Sequence, residues 1–197
     1  PEQIRADFES MYGGLQSANF DLYAFTDGSE LETRYREFEE AFDQPMTKFD
    51  AEIRFQQFVA LAHQAHTPVE SDYSVFFAHV AEGGTMFPLD VAVEEGQLLV
   101  TGNSSGVIEI VPGDRIVAID GEAVADLLPR LTAHLSAESP EFAYVVLEAY
   151  MPLVIWLELD RAEVSSVSIV HADGTQRDYE LSAKSDEQQE AQETRQR

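Results

Sequence analysis

Nucleophilic catalysis needs a hydroxyl, thiol or amine held beside a base in a partly desolvated setting. The chain offers few such settings. It has no Cys, which removes thiol catalysis, zinc–thiolate sites and disulfide frameworks. No Gly-x-Ser-x-Gly elbow occurs. Ser104-Ser105 lies in the Gly/Asn-rich stretch 102–106, whose composition is that of a turn, and no base lies near it in sequence. Lys48 and Lys184 are the only two lysines. Lys48 falls in the first turn of an expected helix and Lys184 in a polar tail, so neither suits a Ser–Lys dyad.

Metal chemistry turns on His63 and His66, three residues apart near the end of an apolar segment. That spacing puts two imidazoles on one helical face. The stretch is not His-Glu-x-x-His, no third ligand is indicated, and the helix dipole alone favours imidazoles at a C-terminus. His79, His134 and His171 stand isolated. Adjacent carboxylates such as Glu39-Glu40, Glu94-Glu95 and Asp186-Glu187 are expected by chance among 37 acids in 197 residues, so glycosidase-type pairing does not follow. Gly83-Gly84 lacks a following Lys and is no phosphate loop. Neither a metal nor any cofactor is expected.

The elements that would position these residues fall in two blocks. Residues 2–65 read as three helices. The first carries the stripe Ile4, Phe8, Met11, Tyr12 and Leu15, with Gly13 and Gly14 weakening its end. The second is expected to start at Ser29, with Glu32 completing a capping box. The third starts at Thr47 with Asp50 as the reciprocal partner. After His66 the pattern shifts toward period two. Residues 69–79 alternate loosely through Tyr73, Val75 and Phe77. Short β-like runs follow at 87–93, 97–101, 107–111 and 115–119, separated by turn residues. Glu122 to Leu135 reads as a helix. Phe142 to Leu159 is apolar almost all round and reads as a buried helix, with Pro152 as a kink. Runs 165–170 and 176–181 flank Asp173-Gly174, a hairpin signal. From Ser182 on, the chain is polar.

Composition limits what such a chain does. A formal charge of −25 repels nucleic acid phosphates and anionic membrane surfaces. An apolar fraction of 44% fits a folded chain and excludes wholesale disorder. The longest apolar stretch, 145–159, is interrupted by Glu148, Pro152 and Glu158 and reads as too short for a bilayer span. Residues 1–20 carry Glu2, Arg5, Asp7 and Glu9 and hold no apolar signal-peptide run. With Pro1 in place of Met, a leader or upstream domain removed before Pro1 is the expectation.

The sharpest local signal is Val111-Pro112-Gly113-Asp114-Arg115-Ile116-Val117-Ala118-Ile119-Asp120-Gly121-Glu122-Ala123-Val124. Pro-Gly sets a tight turn, Ile116, Val117 and Ile119 make a short strand, and Asp-Gly turns into the next element. This segment resembles the Gly-Asp-x-Ile-x-x-Ile-x-Gly-x-x-Val stretch of PDZ domains, above all those of bacterial proteases. The helix end at 58–67, closing on His66-Thr67, resembles the stretch before the Asp-Gly-His-Thr segment of C-terminal-processing serine peptidases and their tricorn-core-like relatives. Here Gln64 and Ala65 replace Asp-Gly. The Phe87-Pro88-Leu89 strand and the PDZ-like unit follow in the order of that family. The resemblance reaches from the N-terminus to about Ala183.

That resemblance implies an α+β fold: a small N-terminal helical bundle (1–67), then a PDZ-like, partly open β-barrel or sandwich with one or two helices (68–183, helical insertion at 140–160), and a polar tail or linker (184–197). It implies a parent serine endopeptidase with a Ser–Lys mechanism, whose catalytic residues lie in an α/β domain after the PDZ region. This chain stops before such a domain and is expected to be inactive alone. Exported, periplasmic location follows from the resemblance only. The expected role is substrate recognition or regulation, with a polypeptide substrate or the parent's own catalytic domain as partner. The groove would lie between Phe87, Pro88, Leu89 and Val91 on one side and Val124, Leu127, Leu128 and Leu131 on the other. Pro88 lacks an N–H, and residues 61–183 hold twenty acids against four arginines, so a peptide carboxylate finds little help there. The second reading is a structural or interaction module, a homo-oligomer whose groove is filled by 142–159. A metal-dependent enzyme using His63 and His66 is the third.

Overall fold

The computed structural model describes residues 1–18, 21–66, 72–159 and 164–182. The three striped segments form α1 (Glu2–Ala18), α2 (Gly28–Ala41) and α3 (Lys48–Ala60). α1 runs through Gly13 and Gly14 instead of fading there. No atom lies within 4 Å of where a Cβ would stand at either glycine. The packed face therefore carries the helix past a cost of about 1 kcal/mol per glycine. α2 begins earlier than Ser29. Its N-cap is Asp27, whose carboxylate accepts from the backbone N–H of Ser29 at 2.8 Å and of Glu30 at 3.2 Å. Asp caps as well as Ser does, and the Ser29 hydroxyl is itself spent donating to Asp27. α3 has the expected capping box: the Asp50 N–H donates to Thr47 Oγ1 at 3.1 Å, and the Thr47 N–H to the Asp50 carboxylate at 3.4 Å.

The three stripes meet on Phe8, which is fully buried. Its ring centroid lies 4.9 Å from those of Phe42 and Phe58, 5.1 Å from Tyr35 and 5.3 Å from Phe55. Offset and edge-on ring pairs of this kind add about 0.5–1.5 kcal/mol each beyond burial. Tyr12 stacks on Tyr35 at 4.7 Å, and burial pushes its phenol pKa upward, with Tyr23 adding to the shift. Residues 133–143 group with this helical unit, which otherwise comprises residues 1–73. Within it, Gln56 is buried and donates through Nε2 to the His134 carbonyl at 2.6 Å, while the Tyr73 hydroxyl donates to Gln56 Oε1 at 2.8 Å.

The second unit comprises residues 74–132 and those from 144 on. Its sheet has six strands: β1 (Leu89–Glu94), β2 (Gln97–Asn103), β3 (Arg115–Ile119), β4 (Glu122–Ala123), β5 (Val164–Val170) and β6 (Gln176–Ser182). They pair antiparallel in the order β1-β2-β3-β5-β6, with β4 also on β3. The architecture is α+β, a helical N-terminal region followed by an open antiparallel sheet. Two of the turns put both central residues at positive φ: Glu95 (49°) with Gly96 (75°), and Asp120 (49°) with Gly121 (79°). Such turns match the right-handed twist of the strands that they join.

Two β-like runs are not strands. Ser74–Ala81 forms a helix, α4. Phe76 is buried there while Val75 and Phe77 are exposed, so the apparent alternation marks no buried strand face. Residues 69–71 lie outside the described residues. Residues 107–111 form a turn. The Asn103 side-chain amide donates to the carbonyls of Val107 and Ile110, both at 2.8 Å, and ties up the groups that a ladder would need. The expected helix after Glu122 is α5 (Val124–Thr132), and the apolar run is α6 (Pro140–Glu158). α6 is not buried all round, since Phe142, Val145 and Tyr150 are 42%, 59% and 55% exposed. Counting from Pro140, its 19 residues are long and apolar enough by length and composition to cross a bilayer, a test that the core helix of a soluble protein also passes.

Replacing Phe8 with Ala opens a cavity among rings that cannot collapse onto it. The expected cost is about 3–5 kcal/mol, read as a lowered denaturant midpoint followed through the helical signal. A change under about 1 kcal/mol would show that this cluster does not hold the helical unit together.

Candidate peptide-docking edge

The eight residues expected to line a groove are all buried: Phe87, Pro88, Leu89, Val91, Val124, Leu127, Leu128 and Leu131. They are core side chains. α5 follows directly from β4 and packs its apolar stripe onto β2, β3 and β4. β1 is an edge strand, paired with β2 on one side only. The element that reaches its other side is α6. Glu148 Oε1 accepts from the Val93 N–H at 2.7 Å. Outward amides alternate along an antiparallel edge, so Val91 faces the same side as Val93. Farther along, Pro152, Ile155 and Trp156 of α6 and Leu159 just past its end face Thr85, Met86 and Phe87 across a cavity of about 10 Å³, room for about one water.

α6 is held by more than Glu148. Trp156 meets Phe76 with ring centroids 5.3 Å apart. Arg130 on α5 donates through Nε to Glu158 Oε1 at 2.6 Å and pairs also with Glu122. Hydrogen bonding to Glu158 raises the Arg130 pKa further. Of the four arginines between residues 61 and 183, Arg130 is thus engaged with two carboxylates, and Arg161 lies outside the described residues.

The Gly-Asp motif is structural. Gly113 has φ 93°, a conformation that favours glycine. Its N–H donates to the Val100 carbonyl at 2.8 Å, and the Val100 N–H donates to the Asp114 carbonyl at 2.8 Å. The Asp114 carboxylate is buried, with 1% of its side chain exposed. It accepts from the Val111 N–H at 2.9 Å and faces His171 Nδ1 at 3.0 Å. A carboxylate only accepts, so Nδ1 carries the proton. His171 Nε2 lies 2.9 Å from the Tyr179 hydroxyl. This chain pins the Pro112-Gly113 turn to the β5–β6 hairpin. Ile116 is buried, and Gly121 completes the turn into β4. His66 is exposed, and Thr67 lies outside the described residues.

The remaining chemistry-bearing residues have ordinary surroundings. Ser104 Oγ donates to the Pro88 carbonyl at 3.0 Å, and Asn103 Oδ1 accepts from the Ser105 N–H at 2.9 Å, an Asx turn. Lys48 is 83% exposed and pairs with Glu52; Lys184 lies outside the described residues. Among the described residues no group of three His, Asp or Glu side chains is placed to hold a metal. Sequence reading missed two pairs, Asp114 with His171 and Val93 with Glu148, whose members lie 57 and 55 residues apart. No local spacing announces contacts of that range.

Asp114→Ala leaves the Val111 N–H and the His171 Nδ1–H without their buried acceptor. The expected loss is about 1–3 kcal/mol, measured by denaturant unfolding. An unchanged midpoint would remove Asp114 from its structural role.

No family model matches the sequence, and no curated protein matches it. Among solved structures the chain is similar to CPAF, a chlamydial serine protease. It matches mature CPAF at 14% identity and TM-score 0.57, covering 92% of this chain and 34% of that one. It matches a CPAF mutant at 15% identity and TM-score 0.61, covering 92% and 33%. It matches mature CPAF complexed with lactacystin at 13% identity and TM-score 0.56, covering 92% and 34%. The chain spans about a third of the length of these structures, and what it shares with them is the fold of a protease region.

Proposed function

We propose that this chain is the noncatalytic N-terminal and PDZ-like region of a serine endopeptidase of the C-terminal-processing type, and that it recognises polypeptide. The observation that carries this reading is the order of elements. A helical unit, an edge strand and a Gly113-Asp114 turn follow one another in a fold that aligns over nearly the whole chain with a third of a serine protease. The nucleophile and its lysine belong to the remainder of such a protein. The partner is an extended polypeptide or the parent's catalytic domain, in an exported compartment. Strand addition at β1 is the mode of recognition, because that edge turns the amides of Val91 and Val93 outward, the second of them held by Glu148.

Titration with extended peptides, apolar and mixed apolar–basic, is expected to shift the amide resonances of residues 87–93, while the chain alone hydrolyses none of them. Turnover that a side-chain substitution in this chain abolishes would overturn the reading, as would unmoved resonances at β1.

A second reading is favoured by the Glu148 contact and the small cavity beside Phe87. In it α6 closes the groove permanently and the chain is a structural or oligomerisation module. That reading expects no peptide binding and a persistent oligomer in light scattering. A monomer at all concentrations would exclude it.

A further inference from the structure

We propose that Glu148 is an internal occupant of the β1 edge, and that a basic, strand-forming peptide must displace it to add to the sheet. The inference rests on the recognition role proposed above and says how that role is held off, and for which ligand class.

An added strand pairs by placing a carbonyl oxygen on each outward amide of the edge. At Val93 that position is taken by the Glu148 carboxylate, 2.7 Å from the nitrogen. A charge-assisted acceptor is stronger than a neutral carbonyl, so an incoming peptide exchanges a better hydrogen bond for a weaker one at this point. It recovers the difference only from neighbouring pairings and from charge. The occupant is built to leave. Glu148 reaches the edge through its own rotatable side chain, so the amide can be freed without unfolding α6. Pro152 stands four residues on and has no N–H, so the Glu148 carbonyl lacks its usual helical donor and α6 is weakest at that turn.

Charge selects the displacing peptide. Glu94 at the end of β1 and Glu95 in its turn are exposed, while the Asp90 carboxylate leans over Gly102 of β2, away from the open edge. A displaced Glu148 adds a third carboxylate beside Glu94 and Glu95. Lysine or arginine on the outward positions of a peptide meets these acids, whereas an acidic peptide is repelled. Valine or isoleucine between the basic residues supplies the strand preference.

The test uses the whole chain and its Glu148→Ala and Glu148→Gln variants, with circular dichroism confirming that each is folded. The glutamine keeps a neutral acceptor of the same length should the alanine variant fail to fold. Hydrogen exchange of the Val93 amide is expected to be about tenfold faster in Glu148→Ala, the loss of one charge-assisted bond, with Ala92 unchanged and Glu148→Gln between. An acetylated, amidated heptapeptide of alternating lysine and valine is then titrated into each. Its Kd is expected to fall about tenfold on Glu148→Ala, and its glutamate counterpart to bind no variant. Equal Val93 exchange in all three proteins overturns the occupancy of the edge. Glu148-dependent exchange with equal peptide Kd values overturns the gating but leaves recognition standing. Glu148-dependent exchange with no peptide bound by any variant removes strand addition itself, and the gating with it.

Discussion

A β-sheet that ends in an open strand presents backbone amides that must find an acceptor or stay in water. In this protein that requirement is met at Val93 by a carboxylate from a helix. β1 carries core residues on one face and acids toward solvent. α6 has to lie close enough to β1 for one glutamate side chain to reach it. The Phe76–Trp156 ring pair and the Arg130–Glu158 bond hold the C-terminal part of α6 in place. A contact that satisfies an edge is also one that competes with any strand arriving there, so fold stability and ligand access draw on the same hydrogen bond.

The Gly113-Asp114 turn shows how a recognisable motif can be structural. Its backbone is laced to Val100 in both directions, and its buried carboxylate reaches a histidine and, through it, a tyrosine on the last hairpin. An aspartate, a histidine and a hydroxyl in line suggest catalysis when seen as a set of residues. Here the hydroxyl is a tyrosine at the far side of the imidazole, and the carboxylate is shared with the Val111 amide. The set joins a turn to a hairpin.

The helical unit is governed by different physics. Its stability rests on aromatic rings converging on Phe8, and its polar interior includes the linked Gln56, His134 and Tyr73 groups. The strong negative charge lies on the outer faces and is offset locally by exposed pairs such as Arg34–Glu37 and Lys48–Glu52, each worth about 0–1 kcal/mol. Charge therefore sets which partners approach, while ring packing sets whether the helices stay together.

Periodicity alone determined the three N-terminal helices, α5, α6, and five strands, because stripes at 3.6 residues and alternation at two are local properties of a chain. Turn chemistry was equally local: Glu95-Gly96, Asp120-Gly121 and Asp173-Gly174 needed no tertiary context. The Thr47–Asp50 box was readable, whereas the α2 cap shifted to Asp27 because two good capping residues stood two positions apart. The short run at 74–81 misled because an eight-residue apolar segment has too few turns to reveal its period. What only the tertiary structure decided is which helix lies along the exposed margin of the sheet. Both α5 and α6 are apolar enough to serve. β4 commits α5 to the sheet face, which leaves α6 and its single internal glutamate for β1, and that outcome depends on strand order and crossover, which no window of sequence contains.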